Sequence, residues 1–515
     1  MWNDEAETAM YAQNILKFGY PKVHDGKNVV YVYDESTETR AYDRRTDAYL
    51  NTGWLQFYFA APAVWVAGHF DNPYVRTAIL RLPFALAALA SLALMGWIVI
   101  ATHRRRGLVF SAFVGLCMLC IPIILHMREV RYYALALLFT ACAIWLVNQY
   151  CILERIAYRK YATLLCITLL LLFLTFHPIF FAFLTCLGLY ALRHIRTSWR
   201  AVARELLPLV VASVLVIPGI VFFRTLTLSH AINDINGFSA VEYVKNFGTM
   251  FIDLAQNAMF IPALIATTLA MLVWRSAPDD LRANVRAVAR LLVVLWLFAI
   301  VTVSIVSGAF LLYQRYYLVL MPLFVMAFLC AVRICYALLP GVFSITLWPR
   351  LRHGIIAGLC ATVIVPIVLS WESIAGHIHE IINPYQGTID VTVTYIRAHY
   401  ADPAQLVIAT NYEEHAYMYY LQSRVIIGQA LNNLPEDIKY QPDIIIPRQL
   451  WKFNGYAYFD AFRRAAPYKE VTFPIRDFFV NNLPETRHPF LNHQFRNLRV
   501  GNAKPMMIYV LNGIK

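Results

Sequence analysis

The chain has 515 residues, of which 59% are hydrophobic and 15% are charged. A water-soluble domain carries about 25% charged residues, so this composition is typical of a polytopic membrane protein whose apolar side chains face lipid. The net charge of +13 does not indicate a nucleic-acid partner. The basic residues stand in short clusters between apolar segments, which is the pattern of membrane topology.

The N-terminal 75 residues are predicted to form an external segment. Residues 1–53 are polar, and Met10–Phe18 is predicted to form a helix that ends at Gly19. Trp54–Phe70 is apolar enough to cross a membrane, but a span there would disturb the alternation of basic linkers. We therefore predict an interfacial or re-entrant helix for it.

Ten apolar segments between residues 76 and 371 are predicted to span the membrane, which requires about 20 residues each. They are residues 76–102, 108–126, 132–150, 161–176, 178–192, 206–224, 256–274, 291–312, 318–339 and 355–371. The fourth and fifth are short and are divided by His177 and Pro178, because proline beside a polar ring favours a helix break.

Lysine and arginine are distributed unequally between the linkers that join these segments. Residues 103–107, 153–160, 193–204, 275–290 and 340–353 together hold 16 of them. The alternate linkers hold five, which are Arg128, Arg131, Arg224, Lys245 and Arg315. Since basic linkers stay in the cytoplasm, both termini are predicted to lie outside. An exported N-terminus needs a preceding helix, so we expect a further span before Met1.

Residues 372–515 are predicted to form a soluble α/β domain outside the membrane. Helices are predicted at Ile389–Tyr400 and His415–Leu421, and strands at Gln405–Thr410, Arg424–Ile427 and Asp443–Ile446. The segment has neither a GxGxxG motif nor a P-loop, so a nucleotide-driven motor is not predicted.

Asp4 and Glu5 carry the strongest local signal for chemistry, and Glu7 lies nearby. Two adjacent carboxylates repel each other, which raises the pKa of one of them. One could act as general base on an acceptor hydroxyl, and either could bind a divalent cation. The alternative is a solvated, charged N-terminal segment.

Arginines predicted to face outward adjoin tyrosines at the ends of spans. Arg128 and Arg131 lie in HMREVRYYA, with Tyr132, and Arg315 lies in YQRYY, with Tyr316. Guanidinium binds phosphate through paired hydrogen bonds, so these segments suit a lipid-linked phosphate. The alternative is snorkelling side chains within an aromatic belt.

Two other polar residues near the outer ends of spans have two interpretations each. Arg81 is either a snorkelling residue or another phosphate contact, and His177 is either a cap at the helix break or a substrate-pocket residue. Carboxylates, arginines and a histidine would thus converge from distant segments. That convergence favours an enzyme that acts on an anionic lipid at the outer membrane surface.

Several segments resemble the GT-C superfamily of polyprenol-phosphate-sugar glycosyltransferases, in particular the bacterial branch with protein O-mannosyltransferases and lipid A aminoarabinose transferases. The similar segments are WNDEAETAMYAQNILKFGYP (2–21), GWLQFYFAAPAVWVAGHF and VRTAILRLPFALAAL (53–89), REVRYYALAL (128–137), QRYYLVLMPLF (314–324) and QLVIATNYEEHAYMYYLQSRVIIG (405–428). The first looks like the Asp-Glu motif of that family's first external loop.

The resemblance implies an α-helical polytopic membrane protein of the GT-C fold, with about ten or more spans and a C-terminal α/β domain. Its parts would be the external loop 1–75 with a juxtamembrane helix, the transmembrane domain 76–371 and the extracytoplasmic domain 372–515. It would lie in the inner membrane of a bacterium.

The implied reaction is an inverting transfer of a hexosyl or pentosyl group from a polyprenyl-phosphate donor to a lipid, glycan or protein acceptor. Asp4 would be the general base, and Glu5 would orient it or help to hold a metal. Arg128, Arg131 and Arg315 would hold the donor phosphate. Since metal use varies in the superfamily, the cofactor stays open between none and a divalent cation.

Two other functions are compatible with lipid-linked sugars. A glycan polymerase or ligase usually has a large external loop between late spans, whereas the external bulk here follows the last predicted span. A flippase or transporter needs charged residues near the middle of spans. The centres of the predicted spans are nearly free of them, which argues against transport.

Overall fold

The structure is a computed structural model of the chain. It describes all residues except 31–41, 44, 104, 226–238, 258, 309–313, 343–347, 430, 432, 449–455, 478–503, 515 and several positions between 370 and 385. The described residues form a large helical bundle followed by a small mixed sheet with its own helices. This agrees with the fold class predicted from the sequence.

The first helix, α1 (Asn3–Phe18), includes the Asp-Glu pair, which the sequence analysis had placed in a loop before the predicted helix. The prediction that this helix starts at Met10 was therefore wrong. Acidic residues in the first turn favour the positive end of the helix dipole, and the Glu5 carboxylate accepts a hydrogen bond from the Trp2 amide at 3.3 Å. The helix ends as predicted at Gly19, whose φ of +83° suits glycine.

The predicted interfacial segment forms α2 (Leu55–Ala67), a helix of 13 residues. Crossing a membrane takes about 20 residues, so α2 is too short to span it alone. It packs between α1 and α3, and the ring of its Phe57 lies 4.9 Å from that of Tyr11. The segment therefore joins α1 to the helical bundle.

Each predicted span coincides with a helix over most of its length, apart from positions outside the described residues. The helices are α3 (Pro73–Ile100), α4 (Arg106–Leu119), α5 (Ile121–His126), α6 (Tyr133–Val147), α7 (Tyr158–Phe173), α8 (His177–Ala191), α9 (Trp199–Phe222), α10 (Ala240–Asn257), α11 (Phe260–Ser276), α12 (Asp279–Val306), α13 (Leu320–Val342) and α14 (Trp348–Leu369). A π-helical turn, Asn148–Ile152, continues α6.

Among the described residues, five helices are long and apolar enough to cross a membrane, namely α3, α6 with its continuation, α9, α12 and α13. The pair α10 and α11, bent by 87°, would make a sixth if it forms one broken span. The chain is an integral membrane protein. The count of ten crossings stays a prediction.

Close packing of aromatic and small residues holds the bundle together. The rings of Phe183 in α8 and Phe298 in α12 lie 4.2 Å apart. A side chain at Gly219 in α9 would place its Cβ 2.7 Å from the Phe173 ring of α7, so glycine lets these two helices approach. In contrast, Val221 is 71% exposed, as expected for a lipid-facing side chain.

The C-terminal part contains a five-stranded sheet of order β2-β1-β3-β5-β4 within the described residues. The strands are β1 (Val407–Thr410), β2 (Arg424–Ile427), β3 (Ile444–Ile446), β4 (Tyr468–Arg476) and β5 (Pro505–Leu511), and the helices are α15 (Thr388–His399), α16 (Glu414–Leu421), α17 (Leu434–Asp437) and α18 (Tyr456–Ala465). Strand β1 pairs in parallel with β2 and β3, and β5 pairs antiparallel with β3 and β4. The first three strands and helices α15 and α16 confirm the sequence prediction.

The segment that follows α1 is hydrogen bonded to the sheet at its β2 edge. The Asn28 side chain donates to the Ser423 carbonyl at 2.9 Å and accepts from the Val425 amide at 2.8 Å. A second contact comes from α3, whose Arg76 donates to the carbonyls of Tyr419 and Tyr420 at 3.3 Å. These bonds attach the sheet domain to the segment after α1 and to α3.

The substitution Asn28→Asp is expected to loosen this contact. A carboxylate oxygen would replace the donor that faces the Ser423 carbonyl, and the buried acceptor would cost about 1–3 kcal/mol. The midpoint of thermal unfolding of the detergent-solubilised protein should fall. Lys17→Ala, an exposed position of α1, serves as the control, and an equal effect of both substitutions would contradict the assignment.

Candidate active site

The first two turns of α1 present three carboxylates to arginines from other segments. Arg131, in the loop between α5 and α6, donates through Nη1 to Glu7 Oε2 at 2.9 Å and to the Asp4 carbonyl at 3.2 Å. Its Nη2 lies 3.5 Å from Asp4 Oδ2. Burial alone would lower the pKa of Arg131, but the charges of Asp4 and Glu7 raise it well above the usual range.

A second arginine reaches Asp4 from the 3₁₀ turn Gln314–Tyr317, which precedes α13. Arg315 Nη1 lies 3.2 Å from Asp4 Oδ2, and its guanidinium is 5.3 Å from the centre of the Trp2 ring. The Asp4 side chain is 25% exposed. Two arginines therefore approach the same oxygen of a partly exposed carboxylate.

Glu5 is on a different side of α1 and makes a separate ion pair. Its oxygens accept from Arg81 Nε at 2.8 Å and Arg81 Nη2 at 2.5 Å, and Oε1 also accepts from the Val130 amide at 3.2 Å. Burial by itself raises the pKa of Glu5, but the Arg81 charge outweighs burial and holds this pKa below its usual value. The predicted pair Asp4-Glu5 is thus divided between two arginine environments.

These arginine contacts occupy carboxylate oxygens with which Asp4 or Glu5 could bind a divalent cation. Both oxygens of Glu5 are engaged by Arg81, and two guanidinium groups surround Asp4 Oδ2. Among the described residues, no group of three His, Cys, Asp or Glu side chains is arranged to hold a metal. The described residues around Asp4 and Glu5 therefore do not fit a divalent cation.

Aromatic rings from three segments lie beside the arginines. Tyr132 stacks on Phe176 with ring centres 4.6 Å apart, and Tyr316 lies 6.1 Å from the same ring. Arg131 and Arg315 each lie 5.9 Å from the adjacent tyrosine ring, as cation–π contacts. The predicted tyrosines are therefore close to both arginines.

The remaining predicted residues lie at the edge of this group. Arg128 is half-buried in the loop that carries Arg131. His177 begins α8 and stacks on Phe173 at 4.5 Å. Its Nε2 has no hydrogen-bond partner among the described residues. The structure brings together Asp4, Arg131 and Arg315, but not His177.

The sequence analysis did not identify a buried pair, His126 and Glu129, where α5 ends and the loop with Arg131 begins. The Nδ1 atom of His126 lies 3.2 Å from Oε1 of Glu129, and neither side chain is exposed. The His126 ring also makes an edge contact with Tyr133 at 5.5 Å. The sequence contains a signal for this pair, because His126 and Glu129 are polar residues three positions apart at the end of an apolar segment.

Comparisons with known proteins agree with this architecture. No protein-family model and no curated protein sequence matches the chain. Among solved structures, ArnT from Cupriavidus metallidurans in the apo state has 14% identity and a TM-score of 0.52, over 91% of each chain. The chain has the GT-C fold. ArnT from the same organism bound to undecaprenyl phosphate has 12% identity and a TM-score of 0.48, over 99% of this chain and 94% of that one.

Within this GT-C fold, the Asp-Glu segment and the two arginine-tyrosine segments meet at one end of the bundle. The contacts of Asp4 with Arg131 and Arg315 join α1 to the loop before α6 and to the turn before α13. These residues are far apart in sequence, so only the fold brings them together. The expected convergence is therefore present for Asp4, Arg131 and Arg315, but it does not include His177.

The substitution Glu5→Gln is expected to destabilise the protein. It leaves Arg81 without its carboxylate, and breaking a buried ion pair costs about 3–5 kcal/mol. The thermal midpoint of the purified protein should fall, whereas the double variant Glu5→Gln, Arg81→Gln should recover much of the loss. An unchanged midpoint in the single variant would contradict the ion-pair assignment.

The same pair predicts a dependence of stability on pH. The pKa of folded Glu5 lies below its usual value of 4.5, so the ion pair stabilises the fold above that value and is lost as pH falls below it. Between pH 6 and pH 3.5, the wild-type midpoint should therefore decrease more steeply than that of Glu5→Gln. Parallel curves would show that Glu5 does not contribute.

Proposed function

We propose that the protein is a membrane glycosyltransferase that moves a sugar from a polyprenyl-phosphate donor to an acceptor hydroxyl with inversion. The observation that carries the proposal is the partly exposed Asp4 carboxylate, which has Arg131 and Arg315 beside it. A base and phosphate-binding groups within reach of each other are what such a transfer needs. The GT-C fold supports the same class of reaction.

The donor phosphate would be held by Arg131 and Arg315, with Arg128 beside them. Guanidinium groups bind phosphate oxygens in pairs, and the stacked tyrosines would line the pocket. The leaving group, a polyprenyl phosphate, is a stable anion, so charge stabilisation matters more than a strong acid. Arg81 is engaged by Glu5, and we assign it to holding α1 in place rather than to the phosphate.

Asp4 would take the proton of the acceptor hydroxyl. The acceptor oxygen forms a bond to the anomeric carbon as the bond from that carbon to the phosphate oxygen breaks. The bonding electrons leave with the polyprenyl phosphate, and the proton stays on Asp4. Attack from the face opposite the phosphate inverts the configuration. The quarter-exposed side chain gives an acceptor access to Asp4.

We further propose that the site faces the outside of a bacterial inner membrane. The segments that supply it carry few basic residues, whereas the linkers at the other ends of the helices are rich in them. Residues 1–75 and 372–515 would then be extracytoplasmic, on either side of a transmembrane domain at 76–371. The acceptor hydroxyl would belong to a lipid, a glycan or a protein.

Asp4→Asn is expected to abolish transfer while the protein still inserts and folds. Loss of a general base lowers kcat by about 10²–10⁴-fold. The assay measures undecaprenyl phosphate released from a panel of undecaprenyl-phosphate sugars, in membranes that hold the native acceptor. Asp71→Asn, an exposed carboxylate, is the matched control. Wild-type rates in Asp4→Asn would overturn the assignment of Asp4 as the base.

Arg315→Gln is expected to weaken binding of undecaprenyl phosphate. Loss of one charge-assisted contact to phosphate costs about 1.5–3 kcal/mol, which is at least tenfold in Kd. Binding can be followed by microscale thermophoresis of the detergent-solubilised protein. Arg193→Gln, whose native partner is Glu205 at the other end of the bundle, should bind like wild type. Equal affinity of Arg315→Gln and wild type for undecaprenyl phosphate would contradict the assignment of Arg315 to the phosphate site.

A further inference from the structure

A buried carboxylate outside the proposed catalytic group binds both sides of the arginine turn. Asp253, in α10, accepts from Gln314 Nε2 at 2.9 Å on Oδ1 and 2.8 Å on Oδ2, and from the Tyr317 hydroxyl at 2.6 Å on Oδ2. It is only 4% exposed. Gln314 and Tyr317 are the first and last residues of the turn that carries Arg315.

Helix α10 is itself fastened to the end of α12. The Asn246 side chain donates to the Ser307 carbonyl at 3.1 Å, and the Tyr243 hydroxyl donates to the Ser304 carbonyl at 3.0 Å. On its opposite face Val244 is 67% exposed. Asp253 therefore projects inward from a helix that is attached to the bundle and turned at 87° to α11.

The free-energy cost of burying the Asp253 carboxylate indicates that this residue has a specific role. An ionised group out of water costs several kcal/mol unless hydrogen bonds compensate for it. Simple packing at this position would be satisfied by an apolar side chain. Asp253 instead accepts three hydrogen bonds from two residues of the turn. An asparagine, with one amide oxygen, could accept only some of them.

We propose that Asp253 is a positioning residue that holds Arg315 at the donor phosphate. This inference rests on the proposed function and adds to it a residue that does not itself touch the donor. Because Gln314 and Tyr317 both donate to one carboxylate, the turn is held at its first and last residues. Arg315 then keeps its 3.2 Å approach to Asp4 Oδ2. A shift of about 1 Å in such a group can cost on the order of 10²-fold in rate.

The test compares Kd for undecaprenyl phosphate and the KM and kcat of transfer in Asp253→Ala, Asp253→Asn and wild type. Asp253→Ala is expected to raise Kd and KM on the order of tenfold, the loss of about 1.4 kcal/mol of phosphate binding. Asp253→Asn, which can still pair with Tyr317 and with a reoriented Gln314 amide, should lose less. The control is Glu242→Gln on the same helix, whose ion pair with Lys245 is exposed.

A double-mutant cycle separates positioning from general destabilisation. In an Arg315→Ala background, Asp253→Ala should add little further loss of binding, because its effect passes through Arg315. An equal loss in both backgrounds, or unchanged Kd and KM in Asp253→Ala, would overturn the inference while the proposed function stands. Absence of undecaprenyl phosphate binding in the wild type would instead overturn the proposed function and the inference with it.

Discussion

The site depends on charge compensation between carboxylates and arginines that are largely buried. Three carboxylates of α1 meet arginines from three other segments, where low polarity makes an isolated charge costly. Glu5 pairs with Arg81, while Arg131 bridges Asp4 and Glu7. Each pairing joins elements distant in sequence, so neutralising these charges also fixes α1 against the bundle. The ion pairs of Asp4 and Glu5, in the first turn of α1, therefore help to hold this helix in position.

The ion pairs differ in geometry, and the difference matches their proposed roles. Glu5 and Arg81 form two short, parallel bonds of 2.8 and 2.5 Å, and the Glu5 side chain is fully buried. Asp4 is partly exposed, and its nearest arginine atoms lie at 3.2 and 3.5 Å. Long contacts of this kind are weak, so a phosphate can compete with Asp4 for the guanidinium groups. Under the proposed function, the Glu5–Arg81 pair holds the structure, and the contacts of Asp4 are exchanged for contacts with the donor phosphate.

The sequence predicts the parts of the molecule that follow from composition and periodicity. Apolar length locates the helices, and short apolar segments locate β1 to β3. Strand β4 was missed because it lies at the sheet edge with many exposed side chains, including Lys469 and Glu470. The pairing of Glu5 with Arg81 was not predictable, because either partner had several candidates along the chain. Asp253 was missed for a related reason, since only the fold brings α10 to the arginine turn.

The position of the C-terminal domain is coupled to the site through the same helix. Asn3 is the residue before Asp4, and its side chain accepts a hydrogen bond from the His415 amide at 3.3 Å. On the domain side, this segment is held by Arg448, which is fully buried and binds Glu413 and Asp477. Glu413 has a φ of +61°, a conformation that costs energy for a residue other than glycine and needs such support. Because α1 is held by membrane helices on one side and by this domain on the other, displacement of the domain would move Asp4 relative to Arg131 and Arg315.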